Sequence, residues 1–287
     1  MTTSLPPGAC NAHCHVFGPR DRFPYAANAP FVPEQDAPRE ALYVLNDQLG
    51  LQRCVIVQST CHGLDNSVTE HAIAGRPQDY RGIALVRPDV ADAELARLDA
   101  AGFRGARFNY MGHLGTQAPV ADVLALARRM APLGWHLQIH GGVQLLTEVA
   151  PALRASPVPV VIDHIGRVDA GLGLHQPAFD ALRSLLRSRM FWVKVSGMDR
   201  ITRQGPPYDD ALPFAAALVE EFGDRVVWGN DWPHPNHAGP VPVEEELAAQ
   251  ILRMAPTAEA VQRLMVDNPQ RLYRFDSRFD SRMASPL

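Results

Sequence analysis

Asn11-Ala12-His13-Cys14-His15 ends a short run over residues 8–16, just ahead of a proline-rich stretch, and reads as the first β-strand of the chain. Side chains alternate across a strand, so His13 and His15 project from one face and Cys14 from the other. Two imidazoles on one face can converge on a metal ion or an anion. Taken alone, they are equally two polar residues at a frayed strand end. The remainder of the chain chooses between these readings.

After this strand, Pro19, Pro24, Pro30 and Pro33 hold residues 17–37 in a long loop, a length usually reserved for function and often for a lid. A helix is predicted over 38–49, with proline near its start and Gly50 past its end. The apolar run 53–58 is a buried strand, followed by a helix over 66–74. The unit then repeats. Strands are predicted at 80–86, through 105–108, and at 135–140, 159–164, 191–196 and 226–231. Helices are predicted over 92–101, 120–133, 145–154, 179–189, 210–222 and 243–254, with an extra C-terminal helix over 258–266.

Eight strands, each followed by a helix, with no linker and no shift in composition, predict one α/β domain over 1–287, a single (β/α)8 TIM barrel. The rival, an open doubly wound sheet, lacks a Gly-x-Gly-x-x-Gly turn after any strand. Apolar residues make up 46% of the 287, enough for a large core. A net charge of −4, with no basic cluster interleaved with aromatics, argues against nucleic acid and for a small-molecule partner. No apolar run reaches the roughly 18 residues of a membrane span. The first residues lack the charged and apolar regions of a signal peptide, so a cytoplasmic protein is expected. Cys10, Cys14, Cys54 and Cys61 are expected to be reduced thiols. A zinc knuckle of Cys10 and Cys14 with the histidines is disfavoured, because strand parity puts both sulfurs on the opposite face.

Chemistry in such barrels gathers at the C-terminal ends of the strands. Those ends carry His13 and His15, then Ser59 and His62, Arg107, His140, His164 and Asp231. Any single histidine here reads as an ordinary polar residue, but His or Asp at one barrel end from five strands is a constellation. A carboxylate beside imidazoles can take a proton from water and return it to a leaving oxygen, which makes Asp231 the candidate general base. Its alternative, a helix N-cap, is excluded by Pro233 and Pro235. Arg107, Arg167 and Arg200 fall at or just after strand ends, where a guanidinium can grip a carboxylate, so an anionic substrate is expected. Ser59 adds a hydroxyl donor. Lys194 is the sole lysine.

His13-x-His15, His140, His164 and Asp231 match the ligand pattern of the amidohydrolase superfamily, and Asn268-Pro269-Gln270-Arg271-Leu272-Tyr273 resembles its closing segment. More narrowly, His13-Cys14-His15-Val16-Phe17-Gly18-Pro19, Arg107-Phe108-Asn109, Asp163-His164-Ile165-Gly166-Arg167 and the block from Trp228 to Pro235 resemble the 2-pyrone-4,6-dicarboxylate lactonase branch. The resemblance implies opening of a small anionic lactone from aromatic breakdown, with His13, His15 and His164 polarising the carbonyl. Binuclear members carry a carboxylated lysine on the fourth strand, where this chain has Arg107 and Asn109, so a binuclear site is not expected. Two alternatives remain. Either one divalent metal, Zn²⁺, is held by His13, His15, His140 and Asp231, or there is no metal and the histidines act as donors. His140 stands where the branch usually carries tyrosine, which leans towards the metal. Phe31 and Gly112-His113 also depart from the branch and bear on which lactone is bound. The rival activities are a non-oxidative decarboxylase of the same superfamily and a barrel that only binds organic anions.

Overall fold

The computed structural model describes residues 5–112, 117–237 and 239–276, so His113 lies outside the described residues. Eight strands form one sheet in chain order: β1 (Cys10–Cys14), β2 (Arg53–Val57), β3 (Tyr80–Ala84), β4 (Phe103–Tyr110), β5 (His136–Gly141), β6 (Val160–Ile162), β7 (Phe191–Lys194) and β8 (Val226–Val227). Neighbours pair in parallel throughout. The segment after β8 returns to the first strand: Ala12 N–H donates to the Trp228 carbonyl (2.8 Å) and Asp231 N–H to the His13 carbonyl (2.9 Å). The sheet therefore closes on itself, the (β/α)8 barrel that the alternation predicts.

Helices α1 (Arg39–Gln48), α2 (Ser67–Gly75), α3 (Asp92–Ala100), α4 (Val120–Met130), α5 (Pro177–Leu186), α6 (Met198–Ile201), α7 (Leu212–Phe222) and α8 (Glu244–Met254) follow the strands. Their apolar faces bury the outward strand residues, as Leu126 and Met130 do against Leu137 and Ile139. The extra C-terminal helix is α9 (Ala258–Gln262), which passes through a π turn into α10 (Asn268–Tyr273). Leu272, Tyr273 and Phe275 pack with inward-facing Val55, Val161, Trp192 and Val227 and plug the bottom of the barrel.

Three local expectations change. Strand β1 contains a bulge: Asn11 pairs with Cys54 but Cys14 pairs with Ile56, so one extra residue is inserted. The bulge reverses side-chain parity, so Cys14 faces outward onto Leu42 and Val68 while Cys10 faces the barrel interior with Val55 and Val161. The expectation for the two sulfurs thus holds only for Cys14. The helix predicted over 145–154 is instead a π turn, Leu145–Val149, and a 3-10 turn, Ala152–Ala155, with Pro151 between them unable to donate a backbone hydrogen bond. Strand β6 ends at Ile162, and His164, Ile165, Gly166 and Arg167 all take positive φ.

The loop over 17–37 is pinned at both ends by the Phe17–Ala37 bridge. Asn28 and Pro30 from this loop line a cavity of about 720 Å³ that Arg107 and Asn109 also border. Among the described residues, no helix is long and apolar enough to cross a membrane.

Candidate active site

Beyond the bulge, His13 and His15 both turn towards the barrel mouth, each at most 3% exposed. Gly229 lets them sit there, since a Cβ at that position would stand 2.4 Å from the His13 backbone nitrogen. Asp231 follows with a φ of +66°, a conformation that costs a non-glycine residue free energy and here turns its carboxylate into the mouth.

The Asp231 carboxylate organises the centre. Its Oδ1 faces the Nε2 atoms of His15 (3.3 Å), His13 (3.5 Å) and His164 (3.9 Å). Its Oδ2 accepts from Arg200 Nε (3.1 Å) and a terminal guanidinium nitrogen (2.9 Å). Burial by itself raises the carboxyl pKa, but electrostatic attraction from its neighbours, His164 and Arg200 first, holds it well below the usual carboxylate range. Asp231 is ionised, and Oδ1 is buried without a hydrogen bond.

The remaining nitrogen of each imidazole has its own partner. His15 Nδ1 donates to the Val57 carbonyl at 2.7 Å, His164 Nδ1 lies 3.0 Å from Ser196 Oγ, and His140 Nδ1 lies 3.1 Å from Asn109 Oδ1. Burial, reinforced by Lys194, lowers the His13 pKa to about 3. Burial also pulls His140 and His164 well below the ordinary value. These three rings are neutral.

Beneath them lies a polar layer that the sequence reading did not single out. Asp163 is fully buried and its Oδ2 accepts from Arg107 Nε and Gln138 Nε2, each at 3.0 Å. Lys194 Nζ donates to Gln138 Oε1 (2.8 Å) and the Ala12 carbonyl (2.9 Å), and stands 3.3 Å from His13 Nδ1. Burial lowers the Lys194 pKa to about 8, still charged at neutral pH. The period-two count that singles out His140 also turns Gln138 inward, and the count from Val161 does the same for Asp163. Lys194 is inward by the same rule from Trp192.

Arg200, expected on substrate, is engaged with Asp231 and lies 3.1 Å from Asp199 Oδ2. Arg107 is held by Asp163 at the cavity wall. Arg167 makes no ion pair or hydrogen bond with any described residue, and burial, with Arg200 beside it, lowers its pKa. A buried guanidinium with no direct partner suits an incoming carboxylate. Ser59 Oγ accepts from Cys61 N (3.5 Å) and Sγ (3.3 Å) as the cap of a 3-10 turn, leaving its own proton to donate.

A matching family model, described as amidohydrolase, spans residues 10–275. The chain belongs to the amidohydrolase family. This amidohydrolase is 43% identical to the 2-pyrone-4,6-dicarboxylate hydrolase of Comamonas testosteroni over 278 residues, covering 94% of this chain and 91% of that one. It is 36% identical to the 4-sulfomuconolactone hydrolase of Rhizobium radiobacter, covering 95% and 92% of the two chains. Its structure is similar to that of a probable 2-pyrone-4,6-dicarboxylic acid hydrolase from Acinetobacter baumannii solved with citric acid bound, with a TM-score of 0.83, 27% identity and 93% and 100% coverage.

One ligand atom from each of His13, His15 and Asp231 lies within 4.8 Å of the others, close enough for these residues to hold a metal ion. Among the described residues, His140 joins no such group. Metal-bound histidines pass their second N–H to a carboxylate, a carbonyl or a water. His15 does so through Val57, while His13 Nδ1 stands between Asp163 Oδ1 (3.4 Å), which could accept, and the Lys194 ammonium (3.3 Å), which cannot. The spacing fits a divalent ion, which His13, His15 and Asp231 would hold and which would polarise a carbonyl, whereas the positive charge of Lys194 against His13 opposes one.

Proposed function

We propose that this amidohydrolase opens a carboxylated lactone with water activated by Asp231, and that 2-pyrone-4,6-dicarboxylate is the first substrate to test. The observation that carries this reading is the ionised Asp231 Oδ1, held without a hydrogen bond among three imidazole nitrogens at 3.3 to 3.9 Å. The names of the two relatives, both lactone hydrolases, support the reaction class.

Asp231 takes a proton from water as the water oxygen bonds to the lactone carbonyl carbon. The carbonyl becomes an oxyanion, stabilised by imidazole N–H donors that include His13 and His164. Collapse breaks the ring C–O bond, and the proton on Asp231 passes to the departing oxygen, giving a ring-opened acid. Arg200 acts through Asp231 by fixing its orientation. Arg167 and the free end of Arg107 hold the substrate carboxylates, with Ser59 as a further hydroxyl donor. The citric acid in the Acinetobacter baumannii protein is an anion of the same kind. No resident metal is required in this scheme. We place the protein in the cytoplasm, where its four buried free cysteines stay reduced.

The test is the ultraviolet absorbance of 2-pyrone-4,6-dicarboxylate on adding protein, with and without a chelator. Equal, rapid loss in both arms supports the mechanism. Loss abolished by the chelator overturns its metal-free form, and release of CO₂ in place of a ring-opened acid overturns the reaction class.

A further inference from the structure

We infer that Lys194 is a positioning residue that locks His13 with its proton on Nε2, so that this imidazole meets the reacting atoms as a hydrogen-bond donor rather than as a metal ligand. The inference rests on the lactone-hydrolase reading and assigns how one of its donors is prepared.

An ammonium has three N–H groups and no acceptor. Two of those of Lys194 go to the Ala12 carbonyl (2.9 Å) and Gln138 Oε1 (2.8 Å), and the third meets His13 Nδ1 at 3.3 Å. Gln138 cannot flip to release the lysine, because its Nε2 donates to Asp163 Oδ2. Asp163 Oδ1 is the competing partner for His13, 3.4 Å from Nδ1, but it makes no hydrogen bond there and is ion-paired with the same lysine, 3.8 Å from Nζ. The arrangement therefore leaves His13 Nδ1 accepting. A neutral imidazole accepting at Nδ1 carries its proton on Nε2, the atom that is buried 3.5 Å from Asp231 Oδ1 with no hydrogen bond of its own.

His15 is set the opposite way. Its Nδ1 donates to the Val57 carbonyl, and its Nε2 stands 3.3 Å from Asp231 Oδ1. Two histidines of one His-x-His motif thus use Nδ1 in opposite ways, His13 accepting there and His15 donating. His13 gives a hydrogen bond to the developing oxyanion, while Asp231 accepts a hydrogen from the attacking water.

The experiment is a two-bond 1H–15N correlation spectrum of the full chain labelled at histidine, with the His13 signals assigned by their loss in His13→Asn. The expected result is a protonated Nε2 and an accepting Nδ1 for His13, with a protonated Nδ1 for His15. A protonated Nδ1 on His13 in the unaltered protein overturns the inference. In Lys194→Met the proton should move to Nδ1, facing Asp163. Turnover should then fall ~10–100-fold with KM little changed, and zinc titrated calorimetrically should bind ~10–100-fold more tightly than to the unaltered chain. An unchanged His13 signal in that variant also overturns it, and if the variant does not fold, the unaltered protein's spectrum alone decides. The spectrum needs no substrate. An Nε2-protonated His13 in a chain that opens no lactone would therefore sink the proposed function and leave this tautomer standing, whereas a lactone hydrolase with the other tautomer would do the reverse.

Discussion

The backbone N–H of Asp231 donates to the carbonyl of His13 at 2.9 Å, so a bond that closes the barrel also sets the base beside the first imidazole. The two side chains then face each other at 3.5 Å. Closure of the sheet and assembly of the site are one event here, because the hydrogen bond and the site contact belong to the same two residues.

Gly229 sits within that closure and has no room for a methyl group. A Cβ there would lie 2.4 Å from the His13 nitrogen and 2.6 Å from its Cβ, neither of which can swing away as the end of a flexible side chain can. Gly229→Ala should destabilise the fold by about 1–3 kcal/mol in a urea melt and displace His13, with loss of turnover. An unchanged midpoint with full activity would refute the close-approach argument.

Asp231→Asn should keep the fold, since asparagine tolerates the left-handed conformation that Asp231 holds at φ +66°. It cannot take the proton from water. Turnover should drop ~10²–10⁴-fold, as expected for loss of a general base, while substrate binding measured by calorimetry persists. A variant with full turnover would remove Asp231 from its role.

Arg200 and Arg167 should separate kinetically. Arg200 holds Asp231 Oδ2 through two donors, a grip that a lysine cannot reproduce, so Arg200→Lys should lower kcat and leave KM nearly unchanged. Arg167 is the guanidinium left without an ion pair among the described residues. Arg167→Met should raise KM for a dicarboxylate lactone roughly 10–100-fold, the equivalent of one lost charged hydrogen-bonded contact, with a smaller effect on kcat. The same loss in kcat for both variants would erase the distinction.

Acid should unfold the protein steeply. His13 and His136 are lowered to about 3, burial being the first cause in each, and burial also takes His140 and His164 well below their ordinary value of 6.5. The unfolded chain binds these protons below pH 6.5 and the folded chain does not, so stability rises with pH across that window and is lost as pH falls through it. Each ring contributes on the order of 1 kcal/mol per pH unit there. Urea midpoints at pH 7, 6 and 5 should fall progressively, and midpoints that stay level would show that these rings titrate normally.

The sequence by itself determined the alternation that makes the barrel, the shared face of His13 and His15, and the strand ends carrying His140, His164 and Asp231, because these depend on local periods of hydrophobicity and on the rule that side chains alternate. It also pointed to a site rich in arginine. Only the tertiary structure decided what those arginines do. Arg200 turns to Asp231, Arg107 to Asp163, and Arg167 alone of the three makes no ion pair or hydrogen bond among the described residues. The bulge in β1 was beyond reach for a related reason, since an extra residue shows only against a partner strand, here Cys54 and Ile56. Lys194 and His13 stand 181 residues apart in the chain and 3.3 Å apart in the barrel. No local period links such a pair, and the closing of the sheet, which brings β7 and β8 round to β1, is what makes them neighbours.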